Sequence, residues 1–170
     1  MVDDLLQDNI ALLRQGAALF ERLESPVYAG RGEARSGSIG AHLRHVLDHY
    51  DAFLAGLEGE EIDYDVRARG TAVESDRHEG LRRMAEVEAR LGKVAATELD
   101  RRLRIREEAS DSVSSARREL QFLQSHTVHH WAIVALLLSQ HGIETPSRFG
   151  LAPSTLRHLD GIEACARLTA

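Results

Sequence analysis

Four long stretches of this chain repeat apolar residues at helical spacing, and that periodicity limits its possible folds more than any other feature. Leu6, Ile10, Leu13, Ala17, Phe20 and Leu23 form one such stripe and predict a helix over about residues 3–24. Asp3 or Asp4 caps its start, and Ser25-Pro26 ends it, because the residue before proline avoids the α region. A second helix is predicted from about Ser38 to Leu57, on Ile39, Leu43, Val46, Leu47, Tyr50, Phe53, Leu54 and Leu57. A third begins at Asp76, with Glu79 completing a capping box and Leu81, Met84, Val87, Leu91 and Val94 facing inward. The fourth starts near Ser110 or Ser112 and runs to about Gln140. Val113, Leu120, Leu123, Thr127, Trp131, Val134 and Leu138 are its inner stripe, and its second half, WAIVALLL, is apolar all round and expected to be the most buried. Gly142 then supplies a left-handed stop, and Pro153 starts a short last helix over STLRHL.

The connections carry less pattern. Residues 58–75 are too polar for core and long for a bundle connection, so they are expected to cross the end of the bundle or to cover a site there. LDRRLRIR, residues 99–106, alternates apolar and basic residues, but one short strand is not stable alone, and the segment is taken as a connection. Aromatics are only 5% of the chain, which also disfavours a sheet. The expectation is an all-α chain: a four-helix bundle with a long crossover connection and a short C-terminal helix, one domain over residues 1–170.

Charge and cysteine content narrow the function. A net charge of −6 repels phosphate backbones and disfavours nucleic acid. Cys165 is the only cysteine, so neither an internal disulfide nor a thiolate metal cage can form, and it is taken as an incidental thiol. The longest strongly apolar run, Trp131 to Leu138, is far too short to cross a bilayer. The acidic start MVDDLLQDN is unlike a secretory signal, and a cytoplasmic location is expected.

Six of the nine histidines fall in two clusters: His42, His45 and His49, then His126, His129 and His130. His126 and His130 are one helical turn apart on one face, where two imidazoles can converge on one ion. His42, His45 and His49 fall within an arc of about 60° along the edge of the second helix's apolar stripe. Burying unpartnered imidazoles there is costly, so a shared metal or a hydrogen-bonded network must satisfy them. Neutral imidazoles suit zinc, nickel, iron or copper rather than magnesium or calcium. Three protein ligands would leave a position open for water or substrate, and a second helix-two histidine would close it. Thr127 stands where H-E-x-x-H proteases carry their general base, and neither a G-x-S-x-G elbow nor a glycine-rich phosphate loop occurs.

SIGAHLRHVLDHYDAFL (residues 38–54) and HTVHHWAIV (residues 126–134) together resemble the DinB/YfiT-like superfamily. The resemblance implies a four-helix bundle of unusual connectivity with a three-histidine metal site. Its ligands map to His45, within Leu43-Arg44-His45-Val46, and to His126 and His130, leaving His129 a non-ligand. It also implies chemistry of a known kind: transfer using low-molecular-weight thiols, thiol-dependent isomerisation, or metal-dependent hydrolysis. Related domains supply histidines to an iron site in sulfoxide synthases. Trp131-Ala132-Ile133 replaces the Arg-Gly-Gln usual after the paired histidines.

The expected function is that of a metal-dependent transferase or hydrolase acting on a small molecule, with zinc, nickel or iron on His45, His126 and His130. His42, His49 and His129 would stand around the ligands. Tyr64, Asp65 and Arg67 in the crossover are candidates for binding substrate, and Arg117 and Arg118 are taken as surface charge. A low-molecular-weight thiol is the expected cosubstrate and a homodimer the expected assembly. The alternatives are a non-catalytic metal-binding or small-molecule-binding, stress-related module, and a structural dimerisation bundle.

Overall fold

Four side chains start the four long helices by accepting orphan backbone N–H groups. In the computed structural model, which describes residues 3–30, 37–66, 69–107 and 110–168, Asp3 accepts from Leu5 N at 3.0 Å and opens α1 (Asp4–Phe20). Ser38 accepts from Ala41 N at 3.0 Å before α3 (Ile39–Gly59). Asp76 accepts from His78 N at 2.8 Å before α4 (Arg77–Leu91), and Ser115 accepts from Arg118 N at 3.3 Å before α5 (Ala116–Gln140). The capping box expected at Asp76 is one-sided. Its own N–H already donates to Ala72 O at 2.7 Å, and Glu79 turns instead to Arg82.

The first helix is shorter than its stripe predicts. After Phe20 the chain tightens, with Arg22 N and Leu23 N donating to the carbonyls three residues back. Ser25-Pro26 does not end that helix but opens a separate short one, α2 (Ser25–Ala29), where proline's missing N–H costs nothing. The last helix, α6 (Pro153–Leu168), is longer than STLRHL; the Cys165 side chain lies outside what is described.

α3 packs on α4 and α5, and α1 packs on the same two helices, so α1 and α3 sit diagonally across the bundle. Asp51 of α3 ties in α4 through Arg83 at 2.6 Å and Arg90 at 2.9 Å. Between α1 and α5, the Trp131 indole N–H donates to Leu12 O at 2.9 Å. A buried chain runs from α5 through α3 to α1: the Thr127 hydroxyl donates to the Tyr50 hydroxyl at 3.1 Å, which donates to Asn9 Oδ1 at 2.7 Å. The WAIVALLL segment is not buried all round, since Leu136 is 65% exposed. Among the described residues no helix is long and apolar enough to cross a membrane.

A small sheet is the main departure from the expected all-helical layout. β1 (Glu61–Asp63), β2 (Arg102–Glu107) and β3 (Ser110–Ser115) lie in that order, β1 parallel and β3 antiparallel to β2. The alternation in LRIR is that of a half-buried strand: Leu103 and Ile105 face the core, while Arg102, Arg104 and Arg106 face out. The serine-rich run 110–115 pairs with it instead of starting the last long helix, and Val113 is exposed rather than on that helix's inner stripe. The crossover after α3 also supplies core, through buried Ile62, Tyr64 and Val73. It lies so close to α3 that a methyl group on Gly40 would run into the Glu74 carbonyl oxygen.

Candidate metal centre

The two histidine clusters meet where α3 packs on α5. His45 and His126 face one another with their Nε2 atoms 3.1 Å apart. The His130 ring lies 4.7 Å from that of His45 and 4.5 Å from that of His126. One ring nitrogen from each of His45, His126 and His130 falls within 4.8 Å of the others. Zinc–nitrogen bonds of about 2.0–2.1 Å in tetrahedral geometry set neighbouring ligand atoms roughly 3.3 Å apart. The His45–His126 pair, at 3.1 Å, already stands near that spacing.

The other histidines surround this triad. His42 Nδ1 lies 2.9 Å from His130 Nδ1. His49 Nδ1 donates to the His45 carbonyl at 2.9 Å, and its ring stacks on that of His126 at 4.1 Å and 26°. His129 is exposed, its ring 5.2 Å from that of His130 and outside the triad.

Burial dominates the electrostatics. It pushes His126 down to about 2, helped by the neighbouring His49, His130 and His45. Burial likewise pushes His130 down to about 3, with His45 and His42 adding to it. Both rings therefore stay neutral at physiological pH and keep the lone pair that a metal requires. The buried His126 Nδ1 has no hydrogen-bond partner among the described residues. Close-set imidazoles, two of them held neutral and one with an unpartnered buried nitrogen, fit a borderline divalent ion.

The lowered values have a consequence for folding. Unfolded histidine titrates near 6.5, so below that pH the unfolded chain binds protons that the fold refuses. Stability of the metal-free protein is expected to be full above about pH 6.5 and to fall progressively as pH drops toward the folded values. Urea denaturation across pH 7.5 to 5 measures this, with the His126→Gln/His130→Gln double variant giving a flatter profile. Superimposable profiles would show that the two rings titrate as freely in the fold as out of it.

The crossover candidates separate. Tyr64 is buried and stacks on His49 at 5.2 Å and 23°, while its hydroxyl donates to Glu119 Oε2 at 3.0 Å. Asp65 is exposed in the following turn, where its N–H donates to Asp63 Oδ1. Arg67 lies outside the described residues. Glu119 and Phe122, which sequence reasoning passed over, also border the cluster: the Phe122 ring is 5.6 Å from His126. Their spacing was the available signal, because positions seven and four residues before His126 share its helix face.

A histidine cluster set between two helices of a bundle with diagonal connectivity defines a class of protein, and comparison with known proteins agrees with it. The chain belongs to the DinB superfamily, whose sequence pattern its residues 7–134 match. The crystal structure of a DinB-like protein, YjoA, from Bacillus subtilis is similar in fold, with a TM-score of 0.62 at 16% identity over 85% of this chain and 96% of that one. An alignment 105 residues long, which covers 58% of this chain, is 34% identical to FK506-binding protein 5 of Rhizopus delemar. The match spans only 27% of that protein's length.

Proposed function

We propose that His45, His126 and His130 hold one divalent transition-metal ion, zinc, nickel or iron, and that the chain is a metal-dependent transferase or hydrolase acting on a small molecule. The observation that carries this reading is the convergence of three ring nitrogens from two helices to within 4.8 Å. A bound ion would supply Lewis acidity, lowering the pKa of a water or thiol so that a nucleophile exists at neutral pH. The chain's own residues prepare the ligands. His42, hydrogen-bonded at His130 Nδ1, leaves His130 with Nε2 to offer. His49, held by its bond to the His45 carbonyl, braces the face of His126.

A low-molecular-weight thiol is the cosubstrate proposed with this reading, and a homodimer the assembly. Exposed apolar Leu136 and Ile162 are available to such a dimer. The net charge of −6 supports a partner set without nucleic acid.

Elemental analysis of protein purified without a histidine tag is expected to find about one transition ion per chain, or uptake of one on titration with zinc, nickel or iron. Much less than one equivalent, with no uptake, would overturn the reading. Incubating loaded protein with a low-molecular-weight thiol and an electrophilic acceptor tests the transferase form. Equal rates with and without protein, across several thiols, would remove it.

A further inference from the structure

Beside the histidines lies a cleft of about 370 Å³ between the small sheet and the start of α5, lined by Tyr64, Phe122, Glu119, Arg118, Ser112 and Ser114 among others. Tyr64 and Phe122 form the wall it shares with the histidine cluster, since their rings also pack on His49 and His126. Two charges in this cleft are left incomplete. Glu119 is only 8% exposed, and Tyr64 satisfies one of its oxygens. The other oxygen has no partner among the described residues. That oxygen is still reached by solvent, so a cation or a strong donor that enters the cleft can meet it. Arg118, the adjacent residue, is exposed at the rim and makes no ion pair among the described residues. Its neighbour Arg117, by contrast, reaches Asp3 at 3.0 Å and Asp100 at 3.6 Å. Glu119 and Arg118 do not bridge one another, so the cleft offers an anionic group inside and a cationic one at its mouth.

We propose that this cleft binds a zwitterionic, amino-acid-like small molecule, its ammonium on Glu119 and its carboxylate on Arg118. The Ser112 and Ser114 hydroxyls supply further polar contacts along the β3 side. The proposal rests on the metal-centre reading only in making this ligand a substrate for chemistry there; the binding itself does not require the ion.

The test is calorimetric titration of glycine, β-alanine, 4-aminobutanoate and 6-aminohexanoate into metal-depleted and metal-loaded full-length protein, with propylamine and propanoate as single-charge controls. At least one ω-amino acid is expected to bind saturably, and at least about tenfold more tightly than either control, because two charge-assisted contacts replace one. Glu119→Gln and Arg118→Met are each expected to weaken that binding about tenfold or more while leaving metal content unchanged. Arg118→Met changes only an exposed side chain, so its loss of binding is not attributable to misfolding. If no ω-amino acid outbinds the controls, or if neither variant weakens it, the proposal is wrong. Ligand binding in a protein that takes up no metal would sustain the cleft and remove the metal centre. Metal uptake without ligand binding would do the reverse.

Discussion

Replacing His45, His126 or His130 by alanine is expected to abolish metal uptake, while His129→Ala keeps most of it. Helix geometry separates residues that are nearly contiguous in the chain. From His126 to His130 the rotation is about 400°, so the two rings differ by only about 40° in direction, whereas His129 points about 60° to the far side of His126. The consequence is visible in space: His126 and His130 lie against His45, and His129 is exposed. His42→Ala is expected to retain the ion with affinity lower by roughly 10- to 100-fold, the usual cost of removing a ligand's outer hydrogen-bond partner. Stability follows from mass action. An ion at 100 times its Kd stabilises the fold by about 2.7 kcal/mol, or roughly 5–10 °C in Tm for a chain of this size. Wild type and His129→Ala should show that gain on adding metal, and the three ligand variants little of it. Equilibrium dialysis with elemental analysis, paired with thermal denaturation, reads both. Loss of the ion in His129→Ala with retention in His126→Ala would mean that the ligand assignment on α5 is wrong.

Trp131→Ala is expected to destabilise the metal-free protein by about 3–5 kcal/mol, the range for removing a large aromatic ring from a packed core. The ring is fully buried, meets Phe20 edge-on at 5.4 Å and 89°, and stacks on Phe149 at 6.1 Å and 20°. Its N–H also satisfies the Leu12 carbonyl across the α1–α5 contact. Trp131→Phe keeps an aromatic ring but removes that bond and some volume, and is expected to cost less, about 1–3 kcal/mol. Urea denaturation of the two variants separates packing from hydrogen bonding. Trp131 directly follows His130 but is turned about 100° from it around α5 and faces Leu12 of α1 rather than His45 of α3, so Trp131→Phe should bind metal with wild-type stoichiometry. A cost below about 1 kcal/mol for the alanine variant would contradict the close packing of α1 on α5 around this ring.

The cost at Trp131 also bears on the family comparison. Where the resemblance leads one to expect a polar Arg-Gly-Gln run, this chain has a core tryptophan bonded to a neighbouring helix.

The long helices were legible because their causes are local. A stripe at helical spacing and a cap within three residues are both written in short windows, and the residues named for the starts of α1, α3 and α4 do cap them. The start of α5 was misplaced because Ser110 and Ser112 are as good caps on paper as Ser115. What removes them from the helix is β2, whose Ile105 pairs with Ser112. β2 in turn is a strand because Ile62, some forty residues earlier, lies beside Ile105 and buries the same face. No window of sequence contains that pairing.

The same division runs through the candidate site. Sequence by itself determined that six histidines fall in two clusters on two helices and that His126 and His130 share a direction, because one turn of helix sets the second. Which member of the His42, His45 and His49 cluster meets that pair is not a local property. The three share one arc, and only the packing of α3 on α5 puts His45 between His126 and His130, with His42 and His49 to either side. Tertiary structure alone also brought Tyr64 and Glu119 together, residues 55 positions apart that close one wall of the cleft. Their contact depends on the crossover returning along α3 to the start of α5, a path set by the burial of Ile62, Tyr64 and Val73 and by no pattern within the crossover itself.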